Sequence, residues 1–196
     1  MIAGHFGFAA LVKARERQAP LWALMLATVW LDVVFVPLFL AGIETIEFVP
    51  GTHGGYGAGI IHADYTHSLL GAVLISALFG IACGVAWGRR TGVVLALVSF
   101  SHWLLDLIVH RHDMPLLPGH AAAQLPKLGL ALWQWPWAAA GMELGLLVLG
   151  AWCYWQAARA VSVWAGVGTR RAGLAGALIL AGGLVVLGLD VSGIAG

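Results

Sequence analysis

Thr91-Gly92-Val93-Val94-Leu95-Ala96-Leu97-Val98-Ser99-Phe100-Ser101-His102-Trp103-Leu104-Leu105-Asp106-Leu107-Ile108-Val109-His110 is an apolar run that carries three ionisable side chains in its second half. Its length matches the roughly 20 residues a helix needs to cross a bilayer. Ionisable groups inside such a run are costly, so they mark functional sites. A helix rising about 1.5 Å per residue sets His102, Asp106 and His110 about 6 Å apart along one face. Imidazole, carboxylate and imidazole on one stripe form a metal-ligand set. The alternatives are a polar stripe satisfied by neighbouring helices and an interfacial histidine cluster at a helix end.

Working outward from this run, composition selects the fold class. Of the 196 residues, 61% are hydrophobic and only 10% are charged, and the mean hydropathy is +0.91. Soluble domains carry about 25% charged residues, so these values predict an all-α, polytopic membrane bundle. Residues 1–196 are expected to form a single membrane domain, because no polar stretch is long enough to fold alone. Five segments approach or exceed spanning length, at about 20–43, 66–87, 92–110, 129–156 and 172–194. The apolar N-terminus is too short to span and predicts an interfacial or re-entrant helix. It lacks a basic leader and a small-residue cleavage site, so no cleaved signal peptide is expected. Cys83 and Cys153 lie in apolar segments outside any C-x-x-C spacing and are expected to pack as small hydrophobes. No basic stripe suggests a nucleic-acid partner.

Charge predicts the orientation. Lys13, Arg15, Arg17, Arg89, Arg90, Arg159, Arg170 and Arg171 fall on one face, and only Arg111 and Lys127 fall on the other. This bias places the first face in the cytoplasm, as in an inner-membrane-type protein. The Gly-rich loop 44–65 and the loop 111–128 are then outside. Seven of the eight histidines, His53, His62, His67, His102, His110, His112 and His120, fall in those loops or in the outer part of a span. Asp32 in the first span and Glu143 in the fourth are deep enough to face the bundle interior. The expected picture is an outward-opening polar cavity lined by Asp32, His67, His102, Asp106 and Glu143, with the glycines of 44–65 forming a mobile lid or a plain connector. Pro37 is expected to kink the first span, and Gly80, Gly84 and Gly88, with Gly141 and Gly145, to form small-residue packing faces.

Zinc takes histidine nitrogen and carboxylate oxygen, and a catalytic zinc site keeps one position open. Asp64, Asp113 or Glu143 could orient such ligands or act as a general base. The order of motifs is His5, Asp32, Thr66-His67-Ser68 and then Ser101-His102-Trp103-Leu104-Leu105-Asp106. Over roughly residues 1–115 it resembles a family of bacterial inner-membrane metal-dependent hydrolases associated with the LexA regulon, related to zinc-dependent phospholipase C and fungal single-strand nucleases. The resemblance implies a divalent-metal centre, zinc by preference, with ligands drawn from His5, Asp32, His62, His67, His102, Asp106 and His110. It implies hydrolysis of a lipid-like or phosphoester substrate, Asp64 and Glu143 being the candidate catalytic acids. Membrane lipid and an amphiphilic substrate are the expected partners, beside a second copy or a partner subunit. Two alternatives stand beside hydrolysis. One is a non-enzymatic protein that binds or moves a divalent metal or anchors a complex, since His62-Ala63-Asp64-Tyr65-Thr66-His67 resembles the His/Asp-rich helix of nickel and cobalt permeases. The other is a haem-binding subunit with two of His67, His102 and His110 as axial ligands.

Overall fold

A computed structural model describes residues 1–48, 55–119 and 124–193. Among them are seven α-helices and one two-stranded sheet. In chain order these are α1 (Ile2–Lys13), α2 (Leu21–Thr28), α3 (Trp30–Leu40), β1 (Thr45–Phe48), β2 (Gly59–His62), α4 (Leu69–Trp87), α5 (Arg89–Val109), α6 (Pro136–Trp164) and α7 (Arg170–Ser192). The last four are each long and apolar enough to cross a membrane, and α2 and α3 together make a fifth candidate, bent by 49°. The predominantly helical architecture agrees with the all-α part of the expected fold class, and the four or five apolar helices are compatible with a membrane bundle.

The expected kink at Pro37 lies elsewhere. Pro37 sits inside α3, and the break falls at Val29, whose φ of −118° and ψ of 15° leave the helical region. The reason is a competing acceptor role: the carbonyl of Thr28 takes the Nδ1 hydrogen of His102 at 2.7 Å. A carbonyl drawn out to a side chain is lost to the regular helical ladder, which then bends.

Close backbone approach organises the packing. A Cβ on Gly7 would lie 2.5 Å from the carbonyl oxygen of Leu146, and one on Gly150 would lie 1.9 Å from that of Gly7. Gly4 meanwhile adjoins Glu143. Contacts that advance together along both chains mean that α1 runs alongside α6 in the same direction. The short helix is therefore a half-length rod within the bundle, and it carries His5 inward. Gly80 and Gly92 make the equivalent approach between α4 and α5, where Ser76 also donates to Ser99 across the helices at 2.9 Å. Gly141 and Gly145 were expected to form a packing face, yet a Cβ there would meet nothing within 4 Å. They sit on the face of α6 turned away from α1, opposite buried Glu143, and the contact glycine of that helix is Gly150.

The described flanks of the stretch 44–65 pair as a two-stranded sheet. Thr45 to Phe48 pair antiparallel with Gly59 to His62, the β-branched residues of Thr-Ile-Glu-Phe and Gly-Ile-Ile-His suiting a ladder. Its tip, including His53, lies outside the described residues, as does His120 in the second loop. That second loop caps α4. The backbone N–H groups of Leu69 and Leu70, orphaned at the helix start, donate to the carbonyls of Pro115 and Leu116, and Ser68 Oγ accepts from Gly71. These bonds satisfy the first turn and fix the Thr66-His67-Ser68 corner.

Candidate metal centre

Four elements deliver side chains to one point at the hairpin end of the bundle. α1 supplies His5, α3 supplies Asp32, the corner before α4 supplies His67, and α5 supplies His102 and Asp106. Two groups among the described residues could hold a metal ion: Asp32, His67 and His102, and His5, His102 and Asp106. Four of the atoms define a polyhedron. His67 Nε2 lies 3.2 Å from His102 Nε2 and 3.5 Å from Asp32 Oδ1. His102 Nε2 lies 3.4 Å from Asp32 Oδ1 and 2.9 Å from Asp106 Oδ2. Asp106 Oδ2 lies 3.8 Å from His67 Nε2. Bonds of about 2.0–2.1 Å in a tetrahedral zinc site put neighbouring ligand atoms about 3.3–3.4 Å apart. The five separations bracket that value, and the side chains form two triads sharing His102, each of which could hold a metal ion.

Hydrogen bonding behind the cluster sets the tautomers. The Thr28 carbonyl can only accept, so Nδ1 of His102 carries the hydrogen of their 2.7 Å bond. Glu44, fully buried, receives the Thr66 hydroxyl at 2.8 Å and the backbone N–H groups of Tyr65 and Thr66 at 2.8 Å each. The hydroxyl hydrogen being committed to that carboxylate, Thr66 Oγ1 accepts from His67 Nδ1 at 2.9 Å. Asp113 accepts from His110 Nδ1 at 3.1 Å in the same way. Each imidazole, when neutral, is therefore left with its bare Nε2 lone pair aimed inward. Two lone pairs 3.2 Å apart beside two carboxylates are mutually repulsive unless a metal ion stands among them or one Nε2 takes up a proton and donates to Asp106 at 2.9 Å. Tying the far nitrogen of a histidine ligand to an oxygen acceptor is how metal sites hold their ligands.

The remaining expected residues divide. His5 stacks on His102 with ring centroids 4.1 Å apart and reaches Asp106 Oδ1 at 3.2 Å, while its Nδ1 is buried without a hydrogen-bond partner. His110 is buried with Nε2 3.8 Å from Asp106 Oδ2. His62 belongs to neither group; it lies on β2 with Nε2 3.6 Å from Glu47. Asp64, 4.0 Å from Lys127, is partly exposed and forms a surface ion pair. Glu143 is fully buried, but its oxygens are already engaged by the Gly4 N–H at 3.1 Å and the Tyr56 hydroxyl at 2.5 Å. It pins the start of α1 beside His5 and does not line the cluster. Burial, with the Glu143 carboxylate adding to it, pushes the Tyr56 hydroxyl up from its ordinary pKa. Sequence reading missed Glu44 and the Thr28 carbonyl. Thr66 next to His67 was the one available signal for the first, and nothing marked the second.

The cluster is asymmetric in access. The side chains of His67, His102 and Asp106 are 7% exposed or less, whereas Asp32 is 41% exposed. Its helix also exposes Val33, Val36, Phe39 and Leu40. The open side of the centre thus adjoins an apolar face. Comparison with protein-family models, with curated proteins and with solved structures returns no match.

Proposed function

We propose that this chain is a polytopic membrane metallohydrolase whose zinc ion is held by Asp32, His67, His102 and Asp106, with a lipid-like phosphoester as substrate. The observation that carries the metal is the set of inward-facing donors at tetrahedral spacing, each histidine tied from behind. An ion in that place supplies Lewis acidity toward a phosphoryl oxygen and lowers the pKa of a water held beside it. The chain's own residues do the rest. Asp106 keeps a second oxygen for His5, and that pair holds α1 against α5. His110, steadied by Asp113, can take or give a proton at Nε2. The buried walls exclude bulk water except beside Asp32. Because that opening adjoins exposed aliphatic side chains of α3, an amphiphile resting in lipid can bring its polar group to the ion laterally.

The basic asymmetry supports the cytoplasmic inner-membrane orientation, with the centre toward the outside. Haem ligation fits less well, since the His67 and His102 rings meet edge to face with carboxylates around them, where a porphyrin needs an apolar slot. The test is elemental analysis of detergent-purified protein, paired with hydrolysis of phosphodiester lipids before and after chelation. About one zinc or more per chain, with activity lost on chelation and restored by zinc, is expected. A Soret band, or metal-free protein after growth in zinc, would overturn the proposal.

A further inference from the structure

The opposite end of the bundle holds a cavity of about 850 Å³ between the end of α1 and the last turns of α6. Lys13 and Arg17 stand at its rim, and Tyr154, Ala157, Val161 and Trp164 line its length. Neither cation has a carboxylate partner among the described residues. Lys13 Nζ donates to the carbonyls of Arg17 and Ala19, at 3.1 and 2.7 Å, which leaves one of its three N–H donors and its full charge free. The nearby acid does not neutralise them. Glu16 is turned to the Gln18 N–H at 2.7 Å and to Arg90 at 3.3 Å.

The shape follows from unequal helix lengths. α6 has 29 residues, well beyond the roughly 20 that cross a bilayer, while α1 stops at Lys13. From Tyr154 to Trp164 the groove runs about 15 Å along α6, with cations at one end and apolar side chains below. A water takes up about 30 Å³, so an inorganic phosphate a few waters in size leaves most of this volume empty. An anionic phospholipid matches both parts, its phosphate at Lys13 and Arg17 and its glycerol and upper acyl chain against the alanines and Tyr154, the lining residue of α6 nearest the membrane core. Basic pockets between helices on the cytoplasmic side take such headgroups. We infer that this groove is a binding site for an anionic phospholipid of the basic-side leaflet. The inference rests on the membrane reading above and is independent of the metal.

The test is native mass spectrometry of the full chain released from nanodiscs containing phosphatidylglycerol, cardiolipin or phosphatidylcholine. The variants are the pair Lys13→Gln and Arg17→Gln, the control pair Arg170→Gln and Arg171→Gln, and Ala158→Phe, which fills the groove and keeps both cations. Circular dichroism and monodisperse elution confirm that each is folded. Retention of anionic lipid by the wild type is expected to exceed that of phosphatidylcholine. It should fall about fivefold per cation removed, so about 25-fold for the first pair. The control pair should change little, Ala158→Phe should also lose lipid, and millimolar phosphate should not compete. Equal losses from both charge pairs, unaltered retention by Ala158→Phe, displacement by phosphate, or no preference for anionic lipid would each overturn the site. A chain that stays soluble without detergent would instead defeat the membrane reading, so the two failures are distinct.

Discussion

The two ends of this bundle use charge in opposite ways. At the hairpin end, His5, His67, His102, His110 and Asp106 are buried, and their donors and acceptors are organised around a point where no side-chain cation stands. At the basic end, Arg90 has its side chain 68% exposed, although its ion-pair partner Glu16 is only 8% exposed. Buried polar groups in a low dielectric must be satisfied or they destabilise the fold, whereas exposed charges are paid little attention by stability and serve topology and partners. The difference teaches that perturbations of similar size on paper should have very unequal effects. The strongest way to break that contrast is at Asp106, which faces His5, His67, His102 and His110. Asp106→Ala and His102→Ala are each expected to abolish stoichiometric metal. They should cost about 3–5 kcal/mol of stability, the usual penalty for breaking a buried charged pair. Chelation should lower the melting temperature of the wild type and leave that of the variants unchanged. If chelation moves all three equally, or if both substitutions cost under about 1 kcal/mol, the cluster is a polar stripe and the contrast collapses.

A finer effect is expected one bond further out. In Glu44→Gln the amide oxygen can keep the Tyr65 and Thr66 N–H groups, while the new NH₂ faces Thr66 Oγ1, now 2.8 Å from a carboxylate oxygen. The Thr66 hydroxyl then accepts from that NH₂, and its hydrogen is expected to turn to His67 Nδ1 at 2.9 Å in preference to the amide oxygen at 3.1 Å. His67 becomes hydrogenated at Nε2 and loses its lone pair toward the centre. Metal affinity should fall about 10–100-fold, with much less loss of stability than Asp106→Ala. The nitrogen-15 shifts of His67 should report the opposite tautomer. Unchanged affinity together with an unchanged tautomer would show that Glu44 only supports the hairpin.

These two positions also show what was legible beforehand. The His102, Asp106 and His110 stripe could be read because helical spacing is fixed and an apolar run makes each polar residue conspicuous. His67 and Asp32 were conspicuous for the same reason. The four later apolar helices followed from length and hydropathy, although α6 runs eight residues past the expected end at 156. Glu44 was not legible, since an acid in a glycine-rich connector looks like any solvated side chain until β1 and β2 pair and bury it. The break at Val29 carries no glycine or proline, because its cause is His102, 73 residues further on. Gly141 and Gly145 share the spacing of a packing face, but spacing cannot say which face of α6 meets α1. Gly150 does, because the register is set by Gly7.

At the basic end the expected effect is smaller and has a definite sign with pH. The Gln18 N–H, with Arg90 adding to it, holds the Glu16 carboxyl below its ordinary pKa. A carboxylate depressed in the folded state stabilises above its unfolded value, near 4.3, and loses that contribution as pH falls through the folded value. Glu16→Gln should therefore lower the melting temperature slightly at pH 7, and the difference from wild type should shrink below about pH 4. Arg90→Ala, which removes an exposed partner, should cost under about 1 kcal/mol and less in high salt. Neither should change metal content. A loss as large as that of Asp106→Ala would mean that the basic end is also a buried, cooperative network.

The smallest effects are expected from histidines that share the hairpin end but not its interior, and they sharpen the comparison by separating position from burial. His112 is exposed. His62 is 39% exposed, and its partner Glu47 is 73% exposed across a 3.6 Å gap. An exposed pair of that kind contributes about 0–1 kcal/mol. Both histidines lie within a few residues of His67 or His110 in the chain, so residue type and proximity in sequence alone would rank them with the ligands. His112→Ala and His62→Ala should leave zinc stoichiometry unchanged and shift stability by under about 0.5 kcal/mol. Zinc titration and thermal melts of the two variants check this directly. Loss of an ion from either one would place a ligand outside the buried tetrahedron. Asp32, the exposed member of that set, would then mark the point where the coordination sphere extends toward β2.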